Sequence, residues 1–225
     1  MITEILKIKD VNKDREKIKK AARKIREGGL VVIPTETVYG LGASALNPIA
    51  VKNIFKAKGR PQDNPLIVHL SDISGLDKVC KDIPDSAYRL FERFSPGPLT
   101  VVLKRKDIIP DIVSAGLESI AVRIPSSIIA REIIKESGVP VAAPSANISG
   151  KPSPTTAQHV ISEMTGRVDI IVDGGPCDVG VESTVISLLG EKPILLRPGG
   201  ITKDELQSVL GDIDVSRSVL SKLND

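Results

Sequence analysis

Five short polar stretches hold most of the side chains able to do chemistry in this 225-residue chain: Pro34 to Gly42 (PTETVYGLG), Lys58 to Pro65 (KGRPQDNP), Pro144 to Asn147 (PSAN), Glu182 to Thr184 (EST) and Arg197 to Gly199 (RPG). Lys58 and Arg60 stand two apart and can converge on one anion, the lysine as a point charge and the arginine as a planar fork for two oxygens. Arg123 alternates with Ile120, Val122 and Ile124, so its guanidinium faces away from a hydrophobic row. A cation on a central strand needs an anionic partner, and a protein carboxylate and a ligand satisfy that need equally well. His69, inside LIVHL, reads as a core histidine, and with only His159 for company it forms no metal-ligand set. Ser145 and Ser183 lie in neither GxSxG nor SxxK, which argues against a serine hydrolase.

Two phosphate-binding signatures fail. Gly40-x-Gly42-x-x-Ala45 matches the dinucleotide fingerprint in letters, but Pro34 to Tyr39 separates it from the strand it should follow. A nicotinamide-dependent oxidoreductase is therefore a minor alternative. Gly150-Lys151 lacks the upstream glycine of a P-loop and is followed by Pro152. If ATP binds, side-chain cations and hydroxyls must replace that cradle.

These stretches need a scaffold. Ile18, Ala21, Ala22 and Ile25 fall at helical spacing over residues 14 to 27, ahead of Gly28-Gly29. The opposite, lysine- and arginine-rich face of that helix reads as solvated. Leu30 to Ile33 is an unbroken apolar run, as expected for a strand buried on both sides, and Asn47-Pro48 caps a helix through Lys56; residues 35 to 44 between them read as a loop. Further strands are expected at Leu66 to Leu70, Leu99 to Leu103, Ile120 to Ile124, Val139 to Ala143, Val168 to Val172, Thr184 to Leu188 and Ile194 to Leu196. Helices are expected at Ser126 to Glu136 and Thr156 to Met164, with a third opened by the capping box Thr202-x-x-Glu205 and burying Leu206, Val209 and Leu210. Alternating strands and helices argue for an α/β fold, with some antiparallel pairing where Val168 to Leu196 passes from strand to strand.

Composition narrows the function classes. A net charge of +3 is far below that of a polybasic binder, and 3 Phe with 2 Tyr give little material for stacking single-stranded RNA. Cys80 and Cys177 form no CxxC pair, no apolar run approaches a membrane span, and MITEILKIKD is not an export signal. A reduced, cytoplasmic protein is expected.

Taken together and in order, the stretches resemble the YrdC-like family, the threonylcarbamoyl-AMP synthases. The matching segments are Gly28-Gly29 with VVIPTETVYGLGASA, then KAKGRPQDNPLIVHL, SPGPLTVVL, IAVRIP, APSANISGKPSPT, VESTVISL and LLRPGGI, spanning about 28 to 201. The family's Lys-x-Arg and distant Ser-x-Asn appear as Lys58-Gly59-Arg60 and Ser145-Ala146-Asn147.

The resemblance implies a twisted mixed parallel/antiparallel sheet with flanking helices and a basic concave cavity. It implies a nucleotidyltransferase that joins L-threonine, bicarbonate or CO2, and ATP with Mg2+ into threonylcarbamoyl-adenylate and pyrophosphate. A tRNA threonylcarbamoyl transferase would then pass the group to the adenosine beside the anticodon, with at most weak contact between this protein and RNA. By the same resemblance Lys58 and Arg60 are catalytic. Lys58, Arg60 and Arg197 face phosphate, Asn64, Ser119, Ser145, Asn147 and Ser153 contact ATP, and Thr37, His69, Arg123, the backbone at Ala143, and Ser183 form the threonine pocket. Metal ligands stay unassigned. Longer family members append a second domain; here residues 1 to 210 are expected to form the catalytic domain and 211 to 225 a polar tail. The alternative from another class is a non-catalytic module binding double-stranded RNA or a nucleotide.

Overall fold

The computed structural model describes residues 1–219. The chain opens with β1 (Glu4–Lys7) and α1 (Arg15–Arg26), followed by β2 (Val31–Ile33), β3 (Gly40–Ser44), α2 (Pro48–Lys58) and β4 (Ile67–His69). Next come α3 (Leu76–Val79), α4 (Asp85–Phe94), β5 (Leu99–Lys104), α5 (Asp111–Ser114), β6 (Ser119–Arg123), α6 (Ile128–Ser137) and β7 (Val141–Ala142). The last elements are α7 (Ala157–Met164), β8 (Ile170–Asp173), β9 (Thr184–Ser187), β10 (Ile194–Arg197), α8 (Lys203–Leu210) and β11 (Asp214–Val215). The strands form one mixed sheet in the order β1-β8-β2-β3-β7-β4-β6-β5-β9-β10-β11. Parallel pairs such as β4/β6 and β5/β9 alternate with antiparallel pairs such as β2/β3 and β5/β6.

The two faces of this sheet are covered unequally, and that asymmetry creates the site. In the β1-to-β7 half, α1 and α6 bury Ile18, Ile25, Ile133 and Ile134 against Val31, Ile33, Val141 and Val172, while Val32, Leu41 and Ile171 join the core on the other side. Both faces are thus dry, as the continuous run from Leu30 to Ile33 demands. Across β6, β5 and β9 one face contributes Ile120, Val122, Val101 and Ile186 to the core. The alternate residues Ala121, Arg123, Val102 and Val185 line an open cavity on the other face, which α1 and α6 do not reach.

Several local expectations need correction. Residues 35 to 44 are not one loop: a buried turn ends at Tyr39, and Gly40–Ser44 is β3, in the middle of the sheet. The glycines serve packing there, since a Cβ on Gly42 would sit 2.9 Å from Val141 Cγ1 and 3.2 Å from the Val31 carbonyl oxygen. A strand of such small residues carries no β-branched signal, and its Gly-x-Gly opens no helix over a phosphate. The helix α4, with Ala87, Leu90 and Phe91 buried, and the edge strand β1 also went unexpected. The segment expected as a polar tail adds β11 to the sheet and buries Ile213 and Val219; its residues 220 to 225 lie outside the described residues.

The helix termini follow local rules. Asn47 accepts from the Ile49 and Ala50 amides with Pro48 in the first turn, and Gly59 ends α2 in the left-handed conformation at φ 61°. The Thr202/Glu205 capping box is present, with Leu206 buried and Val209 and Leu210 partly so. Among the described residues no helix is long and apolar enough to cross a membrane.

Candidate functional site

A cavity of about 320 Å³ lies over the open face of β6 and β5. The turn after β2, the segment after α2, the ends of β4 and β7, and the loops around β9 and β10 all reach it. Thr37, Arg60, Asn64, His69, Arg123, Ala143, Ser145, Ser183 and Arg197 line it together, although they come from segments up to 160 residues apart.

The turn at Thr35 to Val38 is built by its own hydroxyl. Thr35 Oγ1 donates to the Val38 carbonyl at 2.6 Å and accepts from the Thr37 and Val38 amides at 3.3 Å. This presents the Thr37 hydroxyl to Arg123, whose NH1 donates to Thr37 Oγ1 at 2.9 Å. The NH2 of Arg123 lies 2.7 Å from Glu36 Oε1, and both side chains are only 4% exposed. Arg123 therefore has a protein carboxylate as its partner, one of the two solutions its strand position allowed. Glu36 does not line the cavity, and nothing in its spacing within PTET marked it beforehand. His69 pairs with Arg123 across β4 and β6; burial, followed by the nearby Arg123 charge, pushes its pKa down to about 3, so its imidazole is neutral.

Arg197 occupies the neighbouring wall. Its Nε donates to the Ser183 carbonyl at 3.0 Å, NH2 to Ser183 Oγ at 3.1 Å and NH1 to Glu182 Oε2 at 2.6 Å. Ser183 Oγ also shares a 2.7 Å hydrogen bond with Thr100 Oγ1. The Arg60 guanidinium lines the cavity with no hydrogen bond or ion pair to another described residue, its backbone amide alone being bonded, to the Phe55 carbonyl, which leaves its fork free for a ligand.

Four expected residues fall elsewhere. Lys58 is not among the lining residues and does not face open space: its amino group is buried and donates to the carbonyl oxygens of Ser145 and Asn147, and to Asn147 Oδ1 at 3.3 Å. Burial, followed by the charge of Arg60, lowers its pKa to about 8. Asn147 spends its amide within its own loop, accepting from Ser145 Oγ at 2.6 Å and donating to the Ile148 and Lys151 carbonyls. Ser153 lies just outside, donating to Glu182 Oε1 at 3.0 Å. Ser119 shares the face of Arg123 but sits at the far end of β6, roughly 13 Å away at strand rise, where it lines a separate hollow with Lys81, Lys104 and Leu189. Lys58 and Asn147 thus hold the loop that carries Ser145, while Glu36 and Glu182 are site carboxylates to which sequence reasoning gave no role.

Comparison with known proteins agrees with this fold. The Sua5/YciO/YrdC family model, described as "Telomere recombination", matches residues 23–199. The chain is 52% identical over 209 residues to a threonylcarbamoyl-AMP synthase of Pyrococcus abyssi, covering 93% of this chain and 62% of that protein. It is 54% identical over 203 residues to the threonylcarbamoyl-AMP synthase of Bacillus subtilis, covering 90% and 59% respectively. The chain thus spans about six-tenths of the length of these relatives. The crystal structure of Pyrococcus abyssi Sua5 complexed with L-threonine superposes with a TM-score of 0.92 at 49% identity, covering 98% of this chain and 64% of that one. With the mixed sheet, the cavity and the order of the polar stretches all in place, the chain belongs to the Sua5/YciO/YrdC family.

Proposed function

We propose that this chain makes threonylcarbamoyl-adenylate and pyrophosphate from L-threonine, bicarbonate or CO2, and ATP. The observation that carries this reading is the convergence, in one cavity, of Thr37, His69, Arg123 and Ser183 with Arg60, Ser145 and Arg197. The relatives' names and the threonine complex support it.

In this reading Arg123, set by Thr37 and Glu36, takes the threonine carboxylate. The neutral His69 beside it adds no second positive charge against the substrate ammonium. An α-amine has a pKa near ~8, so a modest fraction is free to attack CO2; a C–N bond forms and the amine gives up a proton. A carbamate oxygen then attacks the α-phosphorus of ATP, and the bond to the bridging oxygen breaks, releasing pyrophosphate. Such an in-line displacement depends chiefly on positioning and on cations over the phosphate oxygens, which Arg60 and Arg197 supply. Lys58 and Asn147 act through the Ser145 loop. Magnesium bound to ATP would add charge neutralisation at the phosphate oxygens. Among the described residues no group of three or more His, Cys, Asp or Glu is placed to hold a metal ion.

In this reading the product passes to a tRNA-modifying transferase and the reaction is cytoplasmic. The test is pyrophosphate release from ATP, Mg2+ and bicarbonate, with and without L-threonine and with L-serine as competitor. Release that requires both threonine and bicarbonate is expected. Absence of threonine-dependent release in folded protein would overturn the reading.

A further inference from the structure

Glu182 is the one carboxylate lining the described cavity, which it shares with three arginines, Arg60, Arg123 and Arg197. Both its oxygens are engaged by residues on the phosphate side: Oε2 accepts from Arg197 NH1 at 2.6 Å, and Oε1 from Ser153 Oγ at 3.0 Å. Unlike Glu36, which is buried against Arg123, Glu182 is 40% exposed and open to an incoming ligand. Its position is fixed by backbone, since β9 begins two residues later and the 197–199 turn packs directly on it.

This arrangement conflicts with the binding of bare ATP. A triphosphate laid along Arg197 and Ser153 brings several negative charges against the Glu182 carboxylate, inside a partly desolvated cavity where like charges repel more strongly than in water. A divalent cation between carboxylate and phosphate turns this repulsion into attraction. Magnesium is held in just this way, by one or two carboxylates together with phosphate oxygens and water.

We propose that Glu182 is the protein's carboxylate ligand for the magnesium carried by ATP. Without nucleotide, Glu182 neutralises Arg197 and holds it in place. When the magnesium complex enters, Glu182 exchanges Arg197 NH1 for the metal, and the released N–H groups meet phosphate. Glu182 is thereby the residue that makes the site select the magnesium complex over free ATP. The inference rests on the assignment of ATP to this cavity.

The experiment is equilibrium ATP binding by calorimetry on the full chain, without threonine so that no turnover occurs, in Mg2+ or in EDTA, for wild type, Glu182→Gln and Glu182→Asp. Magnesium should tighten ATP binding by wild type about tenfold or more. In Glu182→Gln, metal-free ATP should bind several-fold tighter than to wild type, because the repulsion is gone, and the magnesium gain should shrink to about threefold or less. Glu182→Asp should keep part of the gain. A magnesium gain of wild-type size in Glu182→Gln would overturn the proposal, as would wild-type binding indifferent to magnesium. Failure of wild type to bind ATP in either buffer would instead remove the ATP assignment and the proposal with it. The variant's fold is checked by its melting temperature, and Mn2+ resonance with ATP present gives a second readout: the bound signal should change between wild type and Glu182→Gln.

Discussion

Arg123 and Glu36 form an ion pair sealed from solvent, NH2 to Oε1 at 2.7 Å, and neither Glu36 oxygen has any hydrogen bond beyond that pairing. Each charge is therefore the main compensation for the other, and the guanidinium is aimed by Glu36, Thr37 and the Gly97 carbonyl before any substrate arrives.

Removing one partner leaves an unpaired buried charge, so Arg123→Ala is expected to cost about 3 to 5 kcal/mol in urea denaturation. Loss of threonine binding in that variant would mix recognition with unfolding. Arg123→Lys separates them: the charge opposite Glu36 remains while the two-pronged fork is lost. Its melting temperature should stay close to wild type while its calorimetric threonine Kd rises about tenfold or more. An unchanged Kd would remove Arg123 from the threonine pocket.

Lys58 makes a different kind of contact. All its donors point at the 145–147 loop, so Lys58→Met strands buried carbonyls and should cost about 1 to 3 kcal/mol of stability. Turnover should fall in the same variant because Ser145 loses its support. If instead stability is untouched and only turnover drops, Lys58 acts on phosphate directly and the loop-holding role is wrong.

How much of this was legible beforehand depended on the range of the interaction. Asn47-Pro48, the Thr202/Glu205 box and the double-sided run at Leu30 to Ile33 are local, and each was read at nearly its true place. The strand Gly40–Ser44 was hidden because its small side chains are chosen by contacts with Val31 and Val141, a tertiary reason that leaves no periodic trace. The site behaved similarly. Residue types pointed to an anion-binding loop set, but whether Lys58 faces a ligand or a loop, and which carboxylate meets Arg123, are settled by chain segments dozens of residues away. Ser119 shows how strand position divides one face: it shares the face of Arg123 but lies at the opposite end of β6, beside a separate hollow.

His69 makes pH dependence a test of burial. Its folded pKa of about 3 lies below the unfolded value of 6.5, so between these limits the unfolded chain binds a proton that the native state refuses. The stability that neutral His69 permits is complete above pH 6.5 and is lost as pH falls toward 3. Each pH unit well inside that window costs about 1.4 kcal/mol, so at pH 5 wild type should have lost about 2 kcal/mol relative to His69→Gln, which carries no titrating group. Denaturation midpoints of both proteins from pH 7.5 to 4.5 give the comparison. Parallel curves would mean that the imidazole is hydrated and charges freely.

Gly199 decides whether Arg197 can reach Ser183 at all. A Cβ there would lie 2.4 Å from both the Glu182 carbonyl oxygen and the Thr184 amide nitrogen, closer than any real contact, and both obstacles are backbone that cannot swing aside. Gly199→Ala should therefore push the 197–199 turn off β9, stretch the Arg197 bonds to Ser183 and cost about 1 to 3 kcal/mol through overpacking. ATP binding should weaken with it, since Arg197 would no longer be held against the cavity wall. Gly190→Ala is the matched control: its Cβ meets only the Lys192 carbonyl oxygen, at 3.7 Å, an ordinary contact. Stability and ATP affinity should change in Gly199→Ala and stay at wild-type values in Gly190→Ala. Equal behaviour of the two variants would show that the close approach of the 197–199 turn to β9 does not hold Arg197 in place.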